Sequence, residues 1–397
     1  MPDKATDNAF PDGSGTPLEL VRASTARVVA QASHVHIDHQ ALLDLTHALS
    51  SAYRSTPIAW DESGWHYQTD AAVAGPLTCQ YILVLDTLNF CFWPTPGLEY
   101  EHLARGLKRA LESDEHAFGA ERLMRITPEE VAGWIDFSPI SGDAAAAPTA
   151  VASGSEGRGG VGVEAFSPSP PTSNSCNNSS SSATVTSSSL LPSSPTLPLL
   201  LERTRKLQEV GRVLLRHFQG LASNLVLESH HSAVELVRLM TAYFPSFRDA
   251  SLYRGELIFF YKRAQIFVGD VWAAYGKQTE RSHPYSFKDM EQLTMFADYR
   301  VPQILRARGV LNYSPALERK IDTKEELSAG SEEEVEIRAA TVQAVEQIMT
   351  TWNEGGKEGG REGGRVMSVE VDWLLWQEGE KAKEELPPHH RTLTIFY

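Results

Sequence analysis

Between residues 139 and 197 the chain is written almost entirely in Ser, Pro, Gly and Ala, with runs such as "SPSPPTSNSCNNSSSSATVTSSS". A stretch this poor in large apolar side chains cannot bury enough surface to offset its ordering entropy, so it adds nothing to a core. The folded body must be assembled from what lies on either side, residues 16–138 and 198–397. We expect one domain interrupted by a low-complexity insert; a domain boundary at 139–197 is the competing arrangement. A second insert is expected at 354–365, where "EGGKEGGREGGR" repeats and reads as a flexible loop. Residues 1–15 are polar and expected to be flexible, and they lack the apolar stretch of a secretory signal. With 397 residues, 42% of them hydrophobic, enough remains for a sizeable core.

The flanking segments carry mostly helical signals. In "IDHQALLDLTHALSSAY", Asp38 stands at an N-cap position and Leu42, Leu45 and Leu49 recur at helical spacing. "TPEEVAGWI" has Thr127 as cap, Pro128 at the first helical position and Glu130 closing a capping box. Leu207, Val210, Leu214, Phe218 and Leu221 form an amphipathic stripe, and Ser232 with Glu235 caps the next helix. In "SEEEVEIRAATVQAVEQIMTTW" the acidic residues sit at the end where a helix dipole favours them. Strand signals are fewer: "QYILVLDTLNFCFW" is expected to supply one or two strands, and "RTLTIFY" to pair with a neighbour. The fold class expected is therefore mainly α with a small β element. No apolar run approaches the length of a membrane-spanning helix.

A net charge of −15 argues against a nucleic-acid polymer as partner, because polymer binding needs a basic surface to displace counterions. A single small anion stays open, since a few local cations suffice for it. The three cysteines, Cys79, Cys91 and Cys176, are too few and scattered for a disulfide framework or a zinc site, which fits a reducing, cytoplasmic setting. The neighbouring pairs His230–His231 and His389–His390 do not face one point, so no metal is expected. There is no P-loop, GxGxxG, HExxH or GxSxG.

What remains is a set of polar residues inside aromatic-rich stretches. "DTLNFCFWP" offers Phe90, Phe92 and Trp93 as a wall on which a flat base could stack, or simply as core. In "FYKRAQIFVGDVWAAYG", Lys262 and Asp270 are eight apart, close to two helical turns, and can share a face as a salt bridge or as a polar cluster beside a substrate. In "SVEVDWLLWQEG", a helix would make Asp372 and Trp376 neighbours, with Gln377 beside them. "TMFADYRVPQIL" sets Asp298 just before a helix that begins near Pro302 and stops at Gly309. The dipole there is expected to lower the carboxylate's pKa. Asp298 is either a cap or an ionised carboxylate in an aromatic pocket, suited to stabilising an oxocarbenium ion or activating water in glycoside cleavage.

Together, "DTLNFCFW", "FPSFRD", "FYKRAQI", "FADYRVPQIL", "VDWLLW" and "PPHHRTLTIFY" resemble the queuosine salvage family, the queuosine 5′-phosphate N-glycosylases. The resemblance implies a single domain similar to helix-rich DNA glycosylases and hydrolysis of the N-glycosidic bond of queuosine 5′-phosphate, which frees queuine for reuse in tRNA. It makes Asp298 the catalytic carboxylate, puts Phe296 on the base, and places Asp372 and Trp376 in the same pocket. The residue after that tryptophan is often acidic in the family; here it is Gln377, a departure that bears on one hydrogen bond to the substrate's polar arm. A histidine near the end of the "FW" segment lines the pocket in some relatives, and His102 is its nearest counterpart. Lys262 or Arg300 would hold the phosphate or position Asp298, with Tyr299, Asp270, Phe92 and Trp93 completing the site. No metal or redox cofactor is called for. The rival readings are a carrier that binds queuine or its nucleotide without turnover, a nucleic-acid base glycosylase, and a helical scaffold.

Overall fold

In the computed structural model the described residues are 15–52, 60, 61, 63–68, 75–135, 197–280, 282–358 and 365–397. The elements follow in the order α1 (Pro17–Gln31), β1 (Val35–Ile37), α2 (His39–Ala52), α3 (Pro76–Leu88), α4 (Tyr100–Ser113), α5 (Ala120–Arg125), α6 (Pro128–Trp134), α7 (Leu200–His217), α8 (Ala222–Glu228), α9 (Ala233–Tyr243), β2 (Ala250–Tyr253), β3 (Glu256–Phe259), α10 (Lys262–Ala274), α11 (Arg300–Ala307), β4 (Leu311–Tyr313), α12 (Pro315–Asp322), α13 (Glu332–Glu358) and α14 (Ser368–Lys381). Two antiparallel pairs, β1 with β4 and β2 with β3, are the only named sheets among the described residues. The fold is thus mainly α with a small β element.

The segment expected as strands is helix α3. Pro76 opens it, and every residue from Thr78 to Leu88 is buried. A helix apolar on all sides belongs in the middle of a protein, and periodicity alone cannot tell such a run from a buried strand. It packs against α4, α7, α8 and α10. Its C-terminal carbonyls turn inward, where buried arginines meet them. Arg263 donates to Asp86 O at 3.3 Å and Thr87 O at 2.9 Å. Arg203 donates to Leu88 O, Phe90 O and Cys91 O. Cations suit this end of a helix, and the bonds hold the turn that delivers Asn89 and Phe92.

The caps read from the sequence form. Asp38 Oδ1 accepts from Ala41 N at 2.9 Å, Thr127 and Glu130 make the capping box, and Ser232 accepts from Glu235 N. Glu235 spends its own carboxylate on Arg238 instead of the cap. The stripe on α7 ends at Phe218, and Leu221 lies beyond the helix and is exposed. The expected strand at "RTLTIFY" reduces to one isolated bridge, Arg391 to Glu326.

Residues before and after the serine-rich stretch belong to one compact unit, Met1–Phe137 with Thr196–Tyr397, in which α3 and α5 pack on α7. α5 and α7 approach closely at Gly211, where a Cβ would stand 2.3 Å from Met124 N. The expectations for residues 1–14, for 139–196 and for 359–364 lie outside the described residues. Residues 354–358, expected in the Gly-rich loop, continue α13. No helix among the described residues is long and apolar enough to cross a membrane.

Candidate active site

A cavity of about 440 Å³ opens where the turn after α3, the start of α10, the segment before α11 and one face of α14 converge. Lys262 and Asp270 reach it from α10, two turns apart on one face. Asp372, Trp376 and Gln377 reach it from α14, together with Trp373. Phe296, Asp298, Tyr299 and Arg300 line it from the chain leading into α11, and Phe92 from the turn after α3. Ten of the twelve residues picked from the sequence therefore share one cavity. Trp93 and His102 do not line it. Trp93 Nε1 donates to Thr392 O at 3.1 Å, and His102 Nδ1 accepts from Glu99 N at 3.1 Å to cap α4.

The segment that delivers Asp298 is irregular rather than helical. After a short 3₁₀ turn at Met290–Gln292 the chain runs extended, so the apolar spacing of Met290, Leu293 and Phe296 marks a buried coil. Asp298 then opens α11. Its Oδ1 accepts from Arg300 N and Val301 N, both at 3.0 Å. Its Oδ2 has no hydrogen-bond partner among the described residues. Despite the helix N-terminus its pKa lies above the ordinary aspartate value, because burial outweighs Lys262 and the two N–H bonds. The expected lowering neglected that desolvation.

Asp372 is buried, and its Oδ1 accepts from Phe296 N at 3.0 Å, so it sets the ring of Phe296 as well as facing the cavity. Burial, followed by the charge of Asp298, pushes its carboxyl well above the usual range. Burial raises Asp270 to about 7 against the pull of Lys262. Behind both, Asp86 on α3 is fully buried and also pushed well up, by burial and then by Asp270. Lys262 lies 4% exposed among these groups, with Nζ donating to Asn89 O at 3.2 Å. Burial lowers its pKa while Asp298 holds it up. With Lys262 the cation shared among them, burial dominates and raises all four carboxyls. Asp298, with Lys262 and two N–H donors behind it, is the best placed to carry charge.

Arg300 lines the cavity, and its backbone N–H is one of the two that hold Asp298. Its Nε donates to Glu380 at 2.6 Å and its Nη1 to Gln303 at 2.6 Å, which ties α11 to α14 and leaves the guanidinium committed. Tyr299 packs against His389 with the rings tilted by 30° and their centroids 4.5 Å apart.

The sequence reading missed a wall made by Trp60, Asp61, His66 and Tyr100, and it missed Tyr397. Asp61 Oδ1 accepts from Trp65 N and meets His66 Nδ1, both at 2.8 Å; His66 Nε2 meets the Tyr100 hydroxyl at 2.8 Å. Trp60 stacks on His66 at 4.5 Å, and Tyr100 meets Trp376 edge-on at 6.0 Å. The one signal for this wall was "WDESGWHY", aromatic and polar with no helical or strand period. The histidine of this cavity is His66, not His102. The whole is a cavity with aromatic walls and a cluster of carboxyls around the buried Lys262.

A protein of Dictyostelium discoideum named queuosine 5′-phosphate N-glycosylase/hydrolase is 38% identical over 389 residues, covering 96% of this chain and 99% of its own. One of the same name from Sphaerobacter thermophilus is 37% identical over 388 residues, covering 95% and 97%. A Mus musculus protein, again of that name, is 39% identical over 203 residues, about half of this chain and 59% of its own. The family profile described as queuosine salvage protein matches residues 65–141 and 165–397, and the chain belongs to that family.

Proposed function

We propose that this protein hydrolyses the N-glycosidic bond of queuosine 5′-phosphate and releases queuine, the activity for which its relatives are named. The setting of Asp298 supports the reading: a half-buried carboxylate, pinned through one oxygen by two N–H groups and within the electrostatic reach of Lys262, in the lining of an aromatic cavity. Queuine is a 7-deazaguanine with a cationic side arm. Without the ring nitrogen at position 7, the base cannot be expelled by protonation there. The enzyme must lean on stabilising the positive sugar, and a fixed anion next to the anomeric carbon does that with no reorganisation cost at the moment of reaction.

Phe296, Trp376 and Phe92 enclose the ring plane. Asp372, whose carboxyl burial pushes well up, offers an O–H donor to the base, Asp270 lies beside it with its carboxyl raised to about 7, and Gln377 gives the arm a neutral partner where a carboxylate would give a charged one. Water completes the reaction. We expect a small nucleotide as substrate rather than a nucleic-acid polymer, given the net charge of −15. We place the protein in the cytoplasm, where free thiols such as Cys79 and Cys91 persist.

The test is chromatographic. Purified protein incubated with queuosine 5′-phosphate is expected to release free queuine over many turnovers; tight binding without release would make it a carrier and end the hydrolase reading. The base slot has its own test. A Cβ at Gly269 would stand 2.9 Å from Cζ of Phe296, so Gly269→Ala must push that ring toward the cavity. KM is expected to rise about tenfold, as for a pocket narrowed by one carbon, with kcat changed less. An unchanged KM would take Phe296 off the base.

A further inference from the structure

Behind the cavity, and outside its lining, lies the best-buried ion pair among the described residues. Arg338 on α13 and Asp249, in the turn before β2, are each about 1% exposed. Arg338 donates through both terminal nitrogens to the Asp249 carboxylate, at 3.0 and 2.6 Å. Its guanidinium is held between the rings of Phe260, at 3.9 Å, and Tyr397, at 4.4 Å. A pair this dry is a poor source of stability, because desolvation consumes most of the attraction. Its remaining hydrogen bonds say what else it does.

On one side, Asp249 Oδ2 accepts from Lys262 N at 3.1 Å, and the Asp249 carbonyl accepts from Phe260 N and Tyr261 N at 3.0 and 3.1 Å. Those bonds hold Tyr261 at a φ of +50°, a left-handed conformation that is costly for a residue with a Cβ, and it aims the next residue. The next residue is Lys262. On the other side, Arg338 Nε donates to Ala297 O at 3.1 Å, and the residue after Ala297 is Asp298. One ion pair therefore grips the backbone beside both Lys262 and Asp298, which line the same cavity from segments 36 residues apart in the sequence.

We propose that Arg338 and Asp249 are positioning residues: their pair sets the spacing between Lys262 and Asp298. This rests on the hydrolase reading above. A lysine at 338 keeps the buried charge but lacks the planar fork that serves Asp249 and Ala297 together.

The experiment measures kcat, KM and the pH profile of Arg338→Lys on queuosine 5′-phosphate, with rates scaled to folded protein. As control, Ser232→Ala removes the cap of α9, outside the cavity lining, and costs stability without touching either backbone grip. Arg338→Lys is expected to lose about 10–100-fold in kcat, as for an ångström-scale misplacement, with KM nearly unchanged. Its acid limb moves to higher pH, because a carboxylate drawn away from its cation protonates more readily. The control keeps wild-type kcat and profile. Wild-type kcat and an unmoved acid limb in Arg338→Lys would overturn the proposal. Should that variant not fold, the Arg338→Gln/Asp249→Asn double variant, which removes both charges while keeping hydrogen-bonding groups, carries the same outcomes. A wild-type protein that releases no queuine sinks the hydrolase reading alone. Positioning is then decided by a crystal structure of the variant: Lys262 and Asp298 displaced by more than about 0.5 Å supports it, and unchanged spacing overturns it.

Discussion

Asp298→Asn is expected to lower kcat for queuosine 5′-phosphate by about 10³-fold or more while leaving binding and stability close to wild type. Each part of that expectation follows from a contact. The asparagine keeps an oxygen where Oδ1 now accepts from Arg300 N and Val301 N, and Asn caps helices as well as Asp does. The aromatic slot is untouched, so the base still stacks. What goes is the negative charge opposite the sugar as the glycosidic bond lengthens. Tight binding of queuosine 5′-phosphate to the variant, measured by calorimetry, together with the loss of queuine release, is the expected pair of results. A variant within tenfold of wild type in kcat would remove Asp298 from the chemistry.

Asp298→Asn was legible in advance because the residue stood out locally, as a carboxylate between aromatics before a helix start. The same holds for most of what the sequence yielded. Thr127, Ser232 and Asp38 act within three residues of themselves, and they form the caps that their spacing predicts. Lys262 with Asp270, and Asp372 with Trp376, needed only a helical period to be placed on one face.

The failures are long-range or environmental. Helix α3 is buried on every side, and a nearly even apolar run carries no period from which to choose between strand and helix. The Asp61–His66–Tyr100 wall joins an irregular segment to α4, and the bond from Phe296 N to Asp372 spans 76 residues, so neither leaves a local pattern. The sign of the Asp298 shift was missed for a related reason: a helix terminus is visible in a sequence, and the desolvation that overrides it is not.

Lys262 is the buried lysine of a cavity that Lys381, Lys383 and Arg300 also line. Arg300 is taken by Glu380 and Gln303, and Lys262 lies 4% exposed beside Asp298 and Asp86, with its ammonium donating to Asn89 O. That placement favours Lys262 as partner of Asp298 rather than of the 5′-phosphate. Lys262→Met is accordingly expected to lose about 10²–10³-fold in kcat/KM, and to lose it equally on queuosine and on its 5′-phosphate. A loss confined to the phosphorylated substrate would instead make Lys262 the phosphate's cation.

The pH profile gives an independent sign. Lys262 is the strongest influence holding the Asp298 pKa down against burial, so its removal raises that pKa further. Activity that needs an ionised Asp298 is lost as pH falls through its pKa, so the acid limb of kcat/KM moves to higher pH in the variant. The alkaline limb runs the other way. Burial lowers the lysine's own pKa, so wild-type activity falls as pH rises through that value, and the variant has no such limb to lose. The second ionisation of the phosphate, near pH 6, is common to both enzymes and drops out of the comparison. An acid limb that stays in place while kcat/KM collapses would mean that the lysine touches the substrate and leaves the carboxylate to its two backbone N–H groups.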